Sequence, residues 1–351
     1  MLGTTTFRAM GTEVTLMVAA PHLPAGTVAE LLHQAEALFA EYERVMSRFR
    51  PESELSRVNR RAGAWVRVSP LLFEVIRLAC RAAGHTAGRF DPTLGLTLSA
   101  LGYDRSFELL ADEGEAAPEV PARPATWATI ELDARRRAVR LPRGVALDLG
   151  GIAKGYTADA VARFLRRHGP ALVDAGGDIC ALGRPPGEPA WRIGVASPFE
   201  PEQDLARLQL SDAACATSTT VKRRWQRAGR HYHHILDPRT NRPAESDLVS
   251  VTVVAPTAAA AEVHAKVALV LGRDAAAAAF ATRPDLAAIL VTTGGEALMT
   301  PTMERWLARA PGEAAGHQDR AIPGAGIEEA SVEAKKKRRK PAARGPARSP
   351  R

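Results

Sequence analysis

The residues best suited to chemistry lie in one short stretch, Asp148-Leu149-Gly150-Gly151-Ile152-Ala153-Lys154. A helical pattern of apolar residues begins at Ala153, so the glycine pair opens a helix. A glycine-rich turn at the start of a helix presents unpaired backbone N–H groups, and the stretch therefore predicts a site for a phosphate-bearing ligand. The alternative is a tight turn between packed elements, because the spacing matches neither G-x-x-x-x-G-K-[ST] nor G-x-G-x-x-G.

The elements that must position this turn follow from the hydrophobic pattern. Before the turn, Val145, Leu147 and Leu149 predict a short strand, and after the helix 172–173 and 179–182 predict two strands joined by Gly176-Gly177-Asp178. Further strands are predicted at Thr12–Ala19, 191–196, 205–210, 248–254 and 287–291, with a hairpin at 129–132 and 138–141. Three helices are predicted: one that begins at a capping box at Thr27, one that begins after Ser69-Pro70, and one from Thr257 to Gly272. A polar turn is predicted at 53–59 and a loop at 88–102. Strands and helices interleave without a regular β-α-β rhythm, which favours an α+β fold.

The charge of the chain is concentrated at one end. The 351 residues are 46% hydrophobic, which is enough for a large core, and the formal net charge is +8. Nine Lys/Arg and one Glu lie in 331–351, so the rest of the chain is formally neutral and gives no sign of a domain specific for nucleic acid. We therefore predict one domain over residues 1–310 and a disordered basic tail over 311–351. A solvated, non-specific tail is the simplest interpretation, and contact with nucleic acid or anionic lipid is the alternative.

Cysteine usage and the N-terminus bear on the compartment. Cys80, Cys180 and Cys215 lie far apart in apolar surroundings, which predicts buried thiols and no disulfide framework or metal site. The N-terminus lacks a charged start followed by an apolar core, and no run of 18 apolar residues occurs. We therefore expect a cytoplasmic protein with no transmembrane segment.

Several short motifs, spread over residues 7–307, occur in a defined order. They are Met10-Gly11-Thr12, Met46-Ser47-Arg48-Phe49, Phe90-Asp91-Pro92-Thr93, the stretch 148–156, Ala175-Gly176-Gly177-Asp178, Ala216-Thr217-Ser218, His234-Ile235-Leu236-Asp237-Pro238 and Ser250-Val251-Thr252-Val253-Val254 leading to the helix at Ala261. In this order the motifs resemble those of the FAD:protein FMN transferase family, often called ApbE-like.

The resemblance implies a fold and an activity. It implies an ApbE-like, T-fold-like mixed fold around an antiparallel sheet with covering helices, an FAD site between its halves, and Mg²⁺ in working members. The family cleaves the diphosphate of FAD, releases AMP, and attaches FMN through its phosphate to a Thr or Ser hydroxyl of an acceptor flavoprotein.

The resemblance also assigns site residues. The positions that would line FAD are Met10, Phe90, Asp91, Gly151, Lys154, Tyr156, Ser218 and Ile235. Ala153 would offer its carbonyl oxygen to the metal. His234 is the candidate catalytic base, because neutral imidazole is available near pH 7. The alternative for His234 is a surface or packing role in the run that contains His231 and His233.

The chain departs from the family pattern at the metal helix. The family carries an Asp and, four residues on, a Thr as metal ligands, and Glu262 and Lys266 stand at these positions. A charged lysine has three donors and no acceptor, so it cannot ligate a cation, whereas Glu followed by Lys at i,i+4 forms a favourable ion pair. We expect Lys266 to pair with Glu262 near the metal position and to supply positive charge to the diphosphate; the alternative is a lysine that points to solvent. Thr219 and Thr220 also replace a family Gly and polar residue.

Two functional hypotheses follow. The first is an FAD:protein FMN transferase that acts on an acceptor flavoprotein. The second is an FAD-binding member without transfer activity, a carrier or regulator, with slow FAD hydrolysis to FMN and AMP as an intermediate outcome.

Overall fold

The computed structural model describes residues 2–107, 110, 126–227 and 229–308. The first part of the chain contains β1 Leu2–Ala9, β2 Thr12–Ala19, α1 Ala25–Met46, α2 Glu54–Arg60, β3 Val66–Arg67, α3 Pro70–His85, α4 Gly95–Ala100, β4 Glu131–Asp133 and β5 Ala138–Arg140. The middle part contains α5 Ala153–Arg166, β6 Ala171–Ala175, β7 Asp178–Leu182, β8 Trp191–Ala196, β9 Asp204–Leu210, β10 Ala213–Thr219, β11 Arg224–Arg227 and β12 Arg230–His233. The last part contains β13 Leu236–Asp237, β14 Arg242–Pro243, β15 Leu248–Ala255, α6 Ala258–Leu271, α7 Arg273–Ala281, β16 Ala287–Thr292 and β17 Ala297–Met299. The predicted basic tail, 311–351, lies outside the described residues.

Eight strands form one sheet in the order β1-β2-β6-β7-β10-β15-β16-β17. Every neighbouring pair in this sheet is antiparallel. The predicted α+β fold is therefore confirmed, and the strand predicted at Thr12–Ala19 has the predicted bounds.

Both faces of the sheet are covered over its centre. Helices α1, α5 and α6 pack on one face, and the β8–β9 hairpin packs on the other. All eight residues of β15 are buried, which explains why this strand contains no charged residue and only two polar ones, Ser250 and Thr252. In the described part of the chain, no helix has the length and apolar character needed to span a membrane.

Helices α5 and α6 meet at their N-terminal ends. Gly155 in the first turn of α5 allows this approach, because a Cβ atom there would lie 2.5 Å from the carbonyl oxygen of Ala258. The carboxylate of Asp159 then accepts hydrogen bonds from the backbone nitrogens of Ala258 (2.8 Å) and Ala259 (3.1 Å). An acidic side chain at this place satisfies free N–H groups of α6 and complements its helix dipole. The first turn of α5 is thereby fixed against α6.

A second group of elements packs against the opposite side of this helix pair. It consists of α2, α3 and the small sheet β3-β5-β4. Its core includes Leu147, Leu149 and Ile152 from the segment before α5, together with Val263 and Val267 of α6. The glycine turn therefore lies in the seam between the large sheet with its helices and this smaller group.

The strand predicted over 145–149 is wrong. The segment is extended, but its backbone groups bond elsewhere. The side chain of Asn59 donates to the carbonyl oxygen of Leu147 (2.9 Å) and accepts from the nitrogen of Leu147 (2.8 Å). The nitrogen of Asp148 donates to the carbonyl oxygen of Pro92 (2.8 Å). The apolar alternation is real because one side faces the core, but an asparagine and a loop replace the neighbouring strand.

Three other local predictions are corrected and three are confirmed. The polar turn at 53–59 is largely helix α2, whose N-cap Ser53 accepts a hydrogen bond from the nitrogen of Ser56 (2.9 Å). Helix α1 starts at Ala25, ahead of the predicted cap at Thr27, and the predicted loop 88–102 contains α4. The starts of α3 after Ser69 and of α6 after Thr257 are as predicted. The predicted hairpin is present, with its first strand at Glu131–Asp133 in place of 129–132.

Candidate active site

A cavity opens in the seam beside the glycine turn. Its lining combines apolar and aromatic side chains with several cations. The lining residues include Met10, Phe49, Phe90, Asp91, Leu98, Tyr103, Asp148, Gly151, Ala153, Lys154, Arg223, His234, Ile235 and Lys266. A concave site with apolar walls and a few convergent polar groups is typical of a small-molecule or cofactor site.

The structure brings most of the predicted site residues into this cavity. Nine of them line it: Met10, Phe90, Asp91, Gly151, Ala153, Lys154, His234, Ile235 and Lys266. Glu262 lies directly behind the two lysines and contacts both. Tyr156 and Ser218 are not among the lining residues. Tyr156 stacks on Tyr42 with ring centroids 6.2 Å apart, and Ser218 is buried in β10, paired with Val251.

The glycine turn is organised by Asp148. One carboxylate oxygen of Asp148 accepts a hydrogen bond from the nitrogen of Gly150 (2.8 Å), and the other forms an ion pair with the guanidinium of Arg48. Arg48 also donates to the carbonyl oxygen of Tyr103 (2.5 Å). At Gly151 a Cβ atom would lie 2.8 Å from the ring of Phe90, so a glycine is needed where this ring closes over the turn. The turn is therefore fixed in position before any ligand arrives.

Behind the turn lies a buried cluster of two lysines and two carboxylates. The ammonium of Lys266 lies 2.9 Å from Oε1 of Glu262, and the ammonium of Lys154 lies 3.3 Å from the same oxygen. Lys154 also pairs with Asp178, and the nitrogen of Gly155 donates to Oε2 of Glu262 (3.0 Å). The predicted pairing of Glu262 with Lys266 is thus observed. We name Lys154, Asp178, Glu262 and Lys266 the lysine–carboxylate cluster.

Burial and charge set the ionisation of this cluster. Burial disfavours the ionised form of Glu262, but the charges of Lys154 and Lys266 outweigh it and lower the pKa of Glu262 to about 2. Burial lowers the pKa of Lys154 to about 8; Glu262 opposes this shift, whereas Lys266 and Arg223 add to it. At neutral pH the cluster therefore contains the ionised carboxylate of Glu262 in contact with the ammonium groups of Lys154 and Lys266.

His234 lies at the same end of the cavity. Burial, followed by the positive charges of Arg223 and Lys266, lowers the pKa of His234 well below its ordinary value. Its Nδ1 atom is buried and has no hydrogen-bond partner among the described residues. At neutral pH the side chain is therefore a neutral imidazole, able to accept a proton.

The residues at the family's metal position do not fit Mg²⁺. Mg²⁺ requires octahedral coordination by oxygen atoms. Oε1 of Glu262 contacts two ammonium groups and Oε2 accepts from a backbone N–H, while Lys266 has no lone pair when charged. The carbonyl oxygen of Ala153 accepts a hydrogen bond from the hydroxyl of Thr157 (2.7 Å). In the described part of the chain, His, Cys, Asp and Glu residues form no group of three that could hold a metal ion.

Sequence reasoning gave no site role to two charged residues, Arg48 and Arg223. Arg48 forms an ion pair with Asp148 across 100 positions of the chain, and Arg223 lines the cavity and donates to the carbonyl oxygen of Gly11 (3.3 Å). Arg48 stands inside one of the motifs of the resemblance, so a signal for it was present. Arg223 lies outside those motifs, and only its contact with the β1–β2 turn shows its place.

The fold and the site together define an α+β protein with a cavity suited to an anionic ligand that also carries aromatic rings. The chain matches the ApbE family over residues 10–290, and it belongs to that family. The chain is 32% identical over 287 residues to the FAD:protein FMN transferase of Treponema pallidum, an alignment that covers 76% of this chain and 78% of the relative. It is also 32% identical to a protein of that name from Klebsiella pneumoniae, over 75% of this chain and 82% of the relative.

Solved structures agree with this assignment. The crystal structure of the ApbE protein of Thermotoga maritima is similar with a TM-score of 0.78 and 27% identity, over 88% of this chain and all of that chain. The apo form of the Pseudomonas stutzeri flavinyl transferase ApbE gives a TM-score of 0.74 at 25% identity, over 89% of this chain and 98% of that chain. The predicted family and fold are confirmed.

Proposed function

We propose that this protein is an FAD:protein FMN transferase, with FAD as its substrate and an acceptor flavoprotein as its partner. The observation that carries the proposal is the cavity itself, in which aromatic side chains lie beside the lysines of the lysine–carboxylate cluster and the neutral His234. FAD combines the same two features, because its two ring systems flank a charged diphosphate.

The binding step follows from the charges of the cavity. Phosphates are bound in proteins by ammonium and guanidinium groups and by free N–H groups at the start of a helix. Lys154, Lys266 and Arg223 provide the cations. Most N–H groups of the glycine turn and of the first turn of α5 already donate to acceptors within the protein, so the side-chain cations carry most of the phosphate binding. Apolar residues such as Phe90 and Leu98 provide surface for the rings.

The transfer step requires one new bond and one broken bond. The oxygen of a Thr or Ser hydroxyl on the acceptor attacks the phosphorus on the FMN side of the diphosphate. The bond from that phosphorus to the bridging oxygen breaks, and AMP leaves with the oxygen and its electron pair. The proton of the hydroxyl passes to the imidazole of His234, which is neutral at the pH of the reaction.

The proposal is tested with a Thr-bearing acceptor protein that a characterised ApbE flavin transferase modifies. The purified chain is incubated with FAD and this acceptor, with and without Mg²⁺, and the intact mass of the acceptor and the release of AMP are measured. We expect the acceptor to gain one FMN for each AMP released. FAD that stays intact would assign the protein to the carrier or regulator class, and FMN and AMP without acceptor modification would assign it to FAD hydrolysis.

A further inference from the structure

We propose that the ammonium group of Lys266, together with that of Lys154, takes the place of a divalent cation in this protein, so that FAD binds through its diphosphate without Mg²⁺. This inference rests on the proposed function, since it concerns how the same cavity neutralises the same substrate.

Both oxygens of Glu262 are already occupied. Among the described residues, Glu262 has the only carboxylate that pairs with Lys266, and its side chain is 1% exposed. Three donors from Lys154, Lys266 and Gly155 already occupy its two oxygens. A divalent cation could bind Glu262 only by displacing these donors, and it would then face two ammonium groups at close range.

The Lys266 side chain lies beside the glycine turn and reaches the cavity. A Cβ atom at Gly151 would lie 3.4 Å from Cδ and 3.6 Å from Cε of Lys266, so the aliphatic stem runs beside the glycine turn. The Lys266 side chain is 18% exposed and lines the cavity. The ammonium group is thus held by a buried carboxylate on one side and open to a ligand on the other.

Both lysines keep N–H donors that the described residues do not use. An ammonium group has three N–H donors. Among the described residues, Lys266 uses one of them on Glu262, and Lys154 uses one on Glu262 and one on Asp178. Two donors of Lys266 and one of Lys154 remain for phosphate oxygens, which lysine binds as a point charge.

Repulsion among the cations of the site also favours an anionic ligand over Mg²⁺. Both ammonium groups contact the same carboxylate oxygen, so they lie at most about 6 Å apart, and Arg223 adds a third cation at this end of the cavity. An anion with two phosphates relieves the repulsion among three cations, whereas an additional Mg²⁺ increases it.

The test is equilibrium binding of FAD to the full chain, followed by flavin fluorescence, in EDTA and in excess Mg²⁺. We expect the two dissociation constants to agree within threefold. Weakening of threefold or more in EDTA would overturn the inference. Electron paramagnetic resonance of added Mn²⁺ gives a second readout on the unmodified protein. The signal of free Mn²⁺ should persist in the presence of the FAD complex, and stoichiometric loss of that signal would also overturn the inference.

Variants test the role of Lys266. Lys266→Met keeps the aliphatic stem and removes the charge, and we expect FAD to bind roughly 10- to 100-fold more weakly in EDTA, the loss typical of a hydrogen bond to a charged group. Lys222→Met is the matched control, because Lys222 is exposed and does not line the cavity. The FAD affinity of this variant should stay within twofold of that of the wild-type protein. Unchanged affinity in a folded Lys266→Met protein would contradict the inference.

The two proposals fail in distinguishable ways. If FAD binds neither in EDTA nor in Mg²⁺, the proposed function fails. If FAD binds only when Mg²⁺ is present, the proposed function stands and the replacement of the metal by Lys266 fails.

Discussion

At the scale of single residues, His234 is the group whose protonation state matters most for the transfer step. Burial and the positive charges of Arg223 and Lys266 lower its pKa, so its imidazole is neutral at pH 7. We expect His234→Ala to reduce the rate of FMN transfer by about 100-fold or more, the usual contribution of a general base, with FAD affinity within threefold of wild type.

The matched control is His231→Ala, because His231 is exposed on β12 and does not line the cavity. Its transfer rate, followed by AMP release with the acceptor, should equal that of wild type. A His234→Ala protein that transfers FMN at the wild-type rate would remove His234 from the mechanism.

Lys154 predicts the pH dependence of FAD affinity. Because its pKa in the free protein is about 8, the ammonium that binds phosphate is present below pH 8 and is lost as the pH rises through it. We expect the dissociation constant of FAD to be constant from pH 6.5 to 7.5. Above pH 8 it should increase by up to about tenfold per pH unit, since one proton is linked to binding.

The measurement is a fluorescence titration with FAD at each pH up to 9.5. Lys154→Arg should give a flatter profile, because the guanidinium stays protonated over this range. An affinity of the wild-type protein that does not change up to pH 9.5 would show that Lys154 does not titrate in the way its burial implies.

Much of the candidate site was predictable residue by residue, and the remainder depends on contacts across the seam. Glu262 and Lys266 were predicted to pair from their i,i+4 spacing, and they do. Lys154 was predicted only as a residue that lines the ligand, and its contact with Glu262 was not predicted. Arg223 was not predicted, because its place in the cavity depends on the fold around the β1–β2 turn. Local spacing predicts pairs on one helix but gives no information on partners that the fold brings together.

At the scale of elements, the close approach of α5 and α6 positions the first turn of α5. We expect Gly155→Ala to lower the free energy of unfolding by about 3 kcal/mol, because the new Cβ atom would meet backbone atoms of Ala258, which cannot move without shifting α6. Urea unfolding gives the measurement. FAD affinity should fall with it, since Lys154 and the N–H group of Gly155 belong to this turn.

Gly26→Ala is the matched control in a helix without such a contact. In α1 a Cβ atom at Gly26 would meet no heavy atom from elsewhere in the described part of the protein within 4 Å. The substitution should therefore leave the free energy of unfolding unchanged or raise it by up to about 1 kcal/mol. Equal stability of the two variants would show that the α5–α6 approach is not as tight as the structure indicates.

Elements were predicted well where local pattern and tertiary structure agree. The alternation of Thr12–Ala19 and the caps Ser69 and Thr257 fix their elements locally, and all three were correct. The segment 145–149 has the pattern of a strand but bonds to Asn59, which is 88 positions away from Leu147. A periodic pattern reports which side is buried and does not identify the hydrogen-bond partner.

At the scale of the whole molecule, His264 couples stability to pH. Burial, with a contribution from Arg283, lowers the pKa of His264 to about 4, while the unfolded chain has the ordinary value of 6.5. The unfolded state therefore binds more protons between these values, so stability is complete above pH 6.5 and falls as the pH decreases toward 4. The expected loss is about 2–3 kcal/mol.

The measurement is the free energy of unfolding in urea at pH 7 and at pH 4.5, for the wild-type protein and for His264→Gln. The variant lacks the titrating group, so its stability should change less between the two pH values. Equal changes in the two proteins would show that His264 does not cause the acid sensitivity.

The large sheet and its covering helices were predictable as a class, because the strands are long, apolar and separated by clear turns. The seam that forms the site was not predictable from periodicity, since it joins residues near both ends of the described chain, such as Met10 and Lys266. The motifs of the family supplied that long-range information, and the chain belongs to this family.

The central claim is that the cavity binds FAD by its diphosphate at Lys154 and Lys266. Isothermal titration calorimetry of the purified protein with FAD and with riboflavin, which has no phosphate, tests this claim most directly. We predict that one FAD binds per chain. The affinity for riboflavin should be lower by a factor of about 100 or more, because several charge-assisted hydrogen bonds are lost. Absence of FAD binding, or equal affinity for the two flavins, would contradict the claim.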